Sequence, residues 1–293
     1  VAVDDVTRLA AQAAKLPVAA VHEDSRLSTD LGLDSLARIE LLGMIEEETG
    51  AYIDDATLDP DATVAVLQRM LAGARNEKRE TGIFGWPLHP VSRTFGLLLQ
   101  EAVVGPLVKI FYRVTVHGRE KLRTVEGPVL FVPNHCMHWD NGIILTSIPL
   151  GWRWRLAIAA AADDIFGNRL RGAITALLAG AFPLAREGAI RRSLELLGAR
   201  LDRDFSVLIY PEGKLTVGGP MQPFKSGAGL IAVEGGTPVI PMRLKIRKMS
   251  LADRIGWPLR GDVEVVFGDP IRFPAGTDAA EATVRLEAAV AAL

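Results

Sequence analysis

The chain has 293 residues, 49% of them apolar and 23% charged, which suffices for about two domains with real cores and excludes a disordered or fibrous polypeptide. A single cysteine excludes an internal disulfide framework and suits a reducing compartment. The formal net charge of −2 conceals two opposed halves: residues 1–75 hold fourteen acids against six bases, a net −8, and the remainder carries +6. Such halves can attract each other or different partners.

In chain order, "VDDVTRLAAQAAK" (3–15) has helical apolar spacing, and a loop with Pro17, Asp24 and Asp30 follows. "SLARIELLGMIEEETG" (35–50) reads as a second helix, with Ser35 as a candidate N-cap and Leu36, Ile39, Leu42 and Ile45 recurring every third residue. A further helix is expected over 62–73, so four short helices or turns make a small all-α bundle. Asp34-Ser35-Leu36, with Leu31-Gly32 ahead of it and an acidic helix behind, resembles the acyl or peptidyl carrier protein family over about residues 1–75. In that family the serine carries a phosphopantetheine arm whose thiol holds an acyl group, so the resemblance implies attachment at Ser35. A helix N-terminus suits the phosphodiester, because it offers free N–H groups and the positive dipole end. Glu40 becomes a docking acid under the same reading.

Residues 76–92, "RNEKRETGIFGWPLHPV", read as a linker, although Phe84 and Trp86 argue that part of it docks. No basic-then-apolar leader opens the chain, so a signal peptide is not expected, and a start at Val1 suggests an excerpt of a longer protein. No run of eighteen uncharged apolar residues occurs, so a spanning helix is not expected either. "FGLLLQEAVVGPLVKIFY" (95–112), broken by Gln100, Glu101, Pro106 and Lys109, reads as a helical pair lying on something apolar or packed in a core. From 93 onward strands are expected at 129–134, 181–185, 206–211, 238–244 and 262–268, and helices around 139–149, 164–178, 188–203, 225–234 and 277–292. That alternation predicts an α/β domain with a mostly parallel sheet over 93–293.

"FVPNHCMHWDNG" (131–142) concentrates the chemistry. His135, His138 and Asp140 could begin a metal site, but the other histidines, His22, His89 and His117, are too scattered to complete one. Cys136 beside His135 could be a nucleophile with its base, yet adjacent residues point apart on a strand or a helix. Alternatively His135 is a general base oriented by Asp140, which requires the strand to end near His135 and a helix to begin near Asp140.

Asn134-His135, four residues, then Asp140 resembles the His-x4-Asp motif of glycerolipid acyltransferases of the lysophosphatidic acid acyltransferase type. Three further blocks follow in order: "GAFPLARE" with Arg186, "LIYPEGK" with Glu212, Gly213 and Lys214 running into "QPFKSGAGLIA" with Phe224, Lys225 and Gly227, and "TPVIPM" with Pro241. The resemblance spans about 93–275 and implies catalysis by His135 and Asp140, with Arg186, Glu212, Gly213 and Lys214 binding the acceptor. It further implies an acyl thioester donor, a lysophospholipid acceptor, a membrane surface met by the helical pair, a peripheral place on the cytoplasmic face of the membrane, and no metal. Relatives pair such carriers with an upstream acyl ligase. Met137 stands where the family often has serine, and Lys214-Leu215 where it often has Thr-Arg; a lysine meets phosphate as a point charge without the bidentate fork. A degenerate lipid-binding platform and an acyl thioesterase are the rival readings. Nucleic-acid binding has no aromatic or Gly-rich reading surface behind the basic half.

Overall fold

The computed structural model describes residues 3–49, 53, 58–73, 85–161, 165–184, 190–249, 260–274 and 276–293. The chain divides into two compact units, one of residues 1–82 with 185–193 and the other of residues 83–184 with 194–293.

Among its described residues the first unit has three α-helices, α1 (Val3–Ala13), α2 (Ser35–Thr49) and α3 (Val64–Gly73), and a single 3-10 turn at Val18–Ala20. Its core is aliphatic: Val6, Leu9, Leu27, Leu33, Leu41, Leu42, Ile45, Val64 and Leu67 are buried together. The core face of α2 runs through Leu41, Leu42 and Ile45 rather than every third residue, because neighbours on a helix face recur at three and four. The long loop reverses at Gly32, whose φ of +65° only glycine adopts without strain. The N-cap of α2 is Asp34 and not Ser35: the Asp34 carboxylate accepts from the Ala37 N–H at 2.8 Å, and its carbonyl accepts from Arg38 N–H. Ser35 is then the first helical residue.

The second unit opens with one continuous helical run where a pair was expected. It consists of α4 (Pro90–Leu99), a π turn (Gln100–Val104) and α5 (Gly105–Phe111). Pro106 would break an α-helix by lacking an N–H and crowding the preceding turn. The wider π turn, closed by Gly105 N–H on the Gln100 carbonyl, takes up the mismatch and the rod continues. The 22 residues Pro90–Phe111 are long and apolar enough to cross a membrane by length and composition.

The polarity of this rod is mixed: Val108 of α5 packs into the apolar core, but polar side chains are buried on the first half. Its inward side carries buried Arg93, Gly96, Leu97 and Gln100, while Val91, Phe95, Leu98, Val103 and Ile110 are exposed. Arg93 donates to the last carbonyls of α7 (Leu150–Trp154), Trp154 O at 3.0 Å and Arg153 O. Burial pushes the Arg93 guanidinium down to about 10. Gln100 donates to the Leu178 carbonyl of α8 (Arg169–Ala179), and Arg153 pairs with Glu101 at 2.6 Å. A Cβ on Gly96 would lie 2.2 Å from the Leu177 carbonyl oxygen, so glycine permits α4 to lie against α8.

Among the described residues a seven-stranded sheet follows, parallel throughout except for one antiparallel pair, Val239–Lys248 with Gly261–Phe267. Its strands are β1 (Tyr112–His117), β2 (Leu130–Pro133), β3 (Leu156–Ala161), β4 (Phe182–Leu184), β5 (Ser206–Leu208), β6 (Val239–Lys248) and β7 (Gly261–Phe267), in the order β1-β7-β6-β2-β5-β3-β4. β2 is buried along its whole length, the continuous apolar pattern of a strand covered on both faces. One core, with Phe131, Ile143, Ile144, Met137 and Phe267, lies on one side; the other, with Leu130, Val132, Phe182, Phe224 and Leu286, lies on the opposite side. The remaining helices are α6 (Asp140–Ser147), α9 (Ile190–Leu201), α10 (Gly227–Glu234) and α11 (Ala279–Ala292).

Candidate active site

β2 and β5 are parallel neighbours, so the segments leaving their carboxyl ends emerge side by side. Such strand ends are where open α/β sheets place ligands. Asn134 anchors the exit of β2: its amide donates to the Leu244 carbonyl at 3.2 Å, and its carbonyl accepts from Leu244 N–H at 2.7 Å.

His135 comes next, and five residues later Asp140 opens α6. His135 Nδ1 lies 2.7 Å from Asp140 Oδ2. The same oxygen accepts from the main-chain N–H of Cys136 at 2.8 Å and of Met137 at 3.1 Å. An oxygen already accepting from two main-chain amides is met by a third donor, so Nδ1 carries the proton and Nε2 keeps its lone pair. The Asp140 carboxyl is fully buried, and the three donors, with the N-terminal end of α6, offset the cost of taking it out of water. The His135 side chain keeps 23% of its surface, enough for the free edge of the ring to be reached.

The segment after β5 supplies two more contacts to His135. The Tyr210 ring stacks on the imidazole, with centroids 4.1 Å apart and planes 23° from parallel. Its hydroxyl donates to Asn141 Oδ1 at 2.8 Å. Burial, and then the nearby Asp140, push the phenol well above its ordinary range, so it stays protonated. Glu212, 3% exposed, accepts the His135 main-chain N–H on Oε1 and the Gln222 N–H on Oε2, each at 2.7 Å. The loop then runs beside His135 and Cys136, with Thr216 N–H on the His135 carbonyl and Gly218 N–H on the Cys136 carbonyl.

Gly213 makes the turn at φ +67°, and the Lys225 side chain lies across it. Lys214 and Lys225 are both exposed. Arg186 lies outside the described residues. Pro241 is buried in β6, opposite Val132 of β2. Cys136 and Met137 are buried, and His138 points to solvent. Among the described residues no group of three or more His, Cys, Asp or Glu side chains is placed to hold a metal ion. Sequence reasoning missed Tyr210, Asn141 and Gln222; the aromatic residue just ahead of Pro211-Glu212 was the one available signal.

Each Glu212 oxygen faces an N–H donor, so an amide at this position sets an NH2 group against one of them. Glu212→Gln is therefore expected to lower stability by about 1–3 kcal/mol. Thermal unfolding checks this; an unchanged midpoint would show that the two contacts carry no energy.

Residues 113–245 match the family described as Acyltransferase, and residues 4–71 match the family described as Phosphopantetheine attachment site. The 1-acyl-sn-glycerol-3-phosphate acyltransferase BAT2, chloroplastic, of Brassica napus is 30% identical over 168 residues, covering 55% of this chain and 46% of its own. The corresponding LPAT1 enzyme, chloroplastic, of Arabidopsis thaliana is 26% identical over 189 residues, 62% of this chain and 50% of its own. The chain thus spans about half the length of the curated relatives it matches. The crystal structure of the 1-acyl-sn-glycerophosphate (LPA) acyltransferase PlsC from Thermotoga maritima superposes with a TM-score of 0.46 at 20% identity, covering 69% of this chain and 78% of that one. The first matched segment holds the His135–Asp140 pair and the second holds Ser35. Residues 113–245 are thus similar to the Acyltransferase family, and residues 4–71, ahead of them, to the phosphopantetheine attachment site family.

Proposed function

We propose that residues 93–293 form an O-acyltransferase moving an acyl group from a thioester to a hydroxyl of a lysophospholipid such as 1-acylglycerol-3-phosphate. Residues 1–75 are its acyl carrier domain and 76–92 the linker. The observation that carries this reading is the buried Asp140 carboxylate on His135 Nδ1, which leaves Nε2 as a base at the carboxyl end of β2. His135 takes the proton of the acceptor hydroxyl, and the oxygen attacks the thioester carbonyl carbon. Asp140 stabilises the imidazolium while the tetrahedral adduct forms. The carbon–sulfur bond then breaks, the departing sulfur receives the proton from His135, and the base is restored without a metal. Glu212 and Gly213 serve the acceptor site indirectly, one by holding the His135 main chain and the other by shaping the turn. Arg186, Lys214 and Lys225 are the cations proposed for the acceptor phosphate.

Ser35 suits a phosphodiester because it opens α2, where Asp34 caps one amide of the first turn and the helix N-terminus favours an anion. Phosphopantetheine attached there supplies a thiol that holds the acyl group as a thioester. An adenylate-forming ligase is the class of enzyme that would load it.

The proposed reaction is tested by supplying palmitoyl-pantetheine with 1-acylglycerol-3-phosphate in mixed micelles and identifying the products by mass spectrometry. Diacylglycerol phosphate that appears only with acceptor supports the transferase. Free fatty acid made equally with and without acceptor identifies a thioesterase, and no turnover with any lysolipid identifies a binding platform.

The exposed face of the Pro90–Phe111 rod is the proposed membrane contact, holding the protein peripherally on the cytoplasmic side. In an unbroken α-helix, the five residues from Leu98 to Val103 would swing the second half away from the first. A π turn spends about one residue more per turn, so Val103 and Ile110 stay on the side of Val91, Phe95 and Leu98. Leu150, Trp154, Leu170 and Ile174 are exposed on α7 and α8, which pack against α4. The other side of the rod is docked on these helices, which favours a rod lying in the interface over one crossing it. Replacing Phe95 and Leu98 together by Glu is expected to weaken binding to phosphatidylcholine–phosphatidylglycerol vesicles by at least about tenfold. Co-sedimentation measures this; unchanged binding would move the membrane contact elsewhere.

A further inference from the structure

We propose that Tyr210 is a positioning residue for the base, locking the His135 ring in the tautomer and orientation that proton transfer requires. The proposal rests on the transferase reading above. The hydrogen bond from Nδ1 to Asp140 leaves the imidazole free to rock about that bond and, by rotation about Cβ–Cγ, to carry Nδ1 away from the carboxylate, after which nothing selects the tautomer. A ring stacked 4.1 Å away at 23° covers one face and resists both motions. Tyr210 is itself fixed, because its hydroxyl donates to Asn141, the residue after Asp140. Two consecutive residues of the first turn of α6 thus hold the two rings, one through each side chain. The stack also joins the exits of β2 and β5, which meet only because those strands are neighbours.

The groups facing the imidazole sit on three segments. Asp140 is on α6; Cys136 adjoins His135 on its own loop; Tyr210 and Glu212 lie after β5, where Glu212 is held on main-chain amides. The protonated phenol presents a neutral π face, which favours the positive charge that develops on the ring as it accepts a proton. Phenylalanine preserves that face and loses only the tether to Asn141, whereas leucine loses both.

The test uses the intact protein carrying Tyr210→Phe, Tyr210→Leu or Tyr210→Met. It reads the His135 tautomer by 15N-histidine NMR without substrate, with His135→Ala assigning that signal among the five histidines. It also reads kcat and the acceptor KM. Wild type and the Phe variant are expected to show one Nδ1-protonated tautomer, and the Leu variant a mixture. Turnover should fall about 10- to 100-fold in the Leu variant with the acceptor KM within about twofold, and the Phe variant should restore most of it. A Leu variant that keeps the single tautomer and its kcat, or loses activity only through KM, overturns the proposal. Should the Leu variant not fold, Tyr210→Met carries the test, since it fills the space without a flat face to stack on the imidazole and should give the same mixture; an unmixed signal there overturns the proposal. The NMR comparison needs no turnover, so failure of the transferase reading, seen as an inactive wild type, is distinguishable from failure of the positioning role.

Discussion

Replacing His135 by alanine is expected to slow acyl transfer by about 10³- to 10⁴-fold while leaving the fold and the acceptor KM nearly unchanged. The side chain is the sole base on the proposed path, so its loss leaves the acceptor hydroxyl to attack with its proton in place. Little of the fold depends on it. The main-chain N–H that Glu212 holds and the carbonyl that Thr216 bonds both survive the substitution. The imidazole is part-exposed, and its removal uncovers one face of Tyr210 without opening the two cores, to which His135 does not belong. His138→Ala, three residues on and exposed, is the matched control, expected to stay within about twofold of wild type. Equal losses in both variants would take the base away from His135.

Asp140→Asn is expected to cost about 10³- to 10⁴-fold in turnover with a smaller loss of stability, whereas Asp140→Ala should damage both. Asparagine retains one acceptor oxygen at the position that now receives the His135 ring and the two main-chain amides. It removes the negative charge that stabilises the imidazolium as it forms. In the opposite orientation its NH2 group confronts three donors, and the ring is released to the wrong tautomer. Alanine leaves the Cys136 and Met137 N–H groups buried without a partner, at a cost of roughly 1–3 kcal/mol for each. Comparing turnover with the thermal midpoint separates the two effects. Full activity in the Asn variant would reduce Asp140 to a structural cap of its own loop.

The alternation of strands and helices after residue 93 was legible because buried parallel strands are continuous apolar runs punctuated by Gly, Pro or Asn, as "VLFVPN" is. Two strands went unread for different reasons. β1 alternates Tyr112, Val114 and Val116 inward with Arg113, Thr115 and His117 outward, but it starts without punctuation where the helical rod stops. β3, "LAIAAA", is rich in alanine, a strong helix former, and only its neighbours β5 and β4 make it a strand. The continuity of the rod through Pro106 was equally hidden, since nothing in the sequence announces a π turn. At the site, a five-residue separation let His135 and Asp140 meet across a strand-to-helix loop. The partners of Glu212 are main-chain amides, which no residue pattern reveals. The Tyr210 stack depends on β5 lying beside β2, a fact of topology. Asp34 and Ser35 are both good caps, and the choice between them rests on which carboxylate or hydroxyl reaches Ala37.

The proposed delivery of an acyl group from Ser35 through His135 to a lysolipid can be followed by intact mass spectrometry of the acyl-phosphopantetheine-loaded protein. 1-Acylglycerol-3-phosphate in detergent is added, and the acyl mass on the protein is followed beside loaded His135→Ala. The acyl mass is expected to leave only when acceptor is present, to appear as diacylglycerol phosphate, and to stay on the variant. Loss of the acyl group without acceptor, or equal loss from the variant, would contradict it.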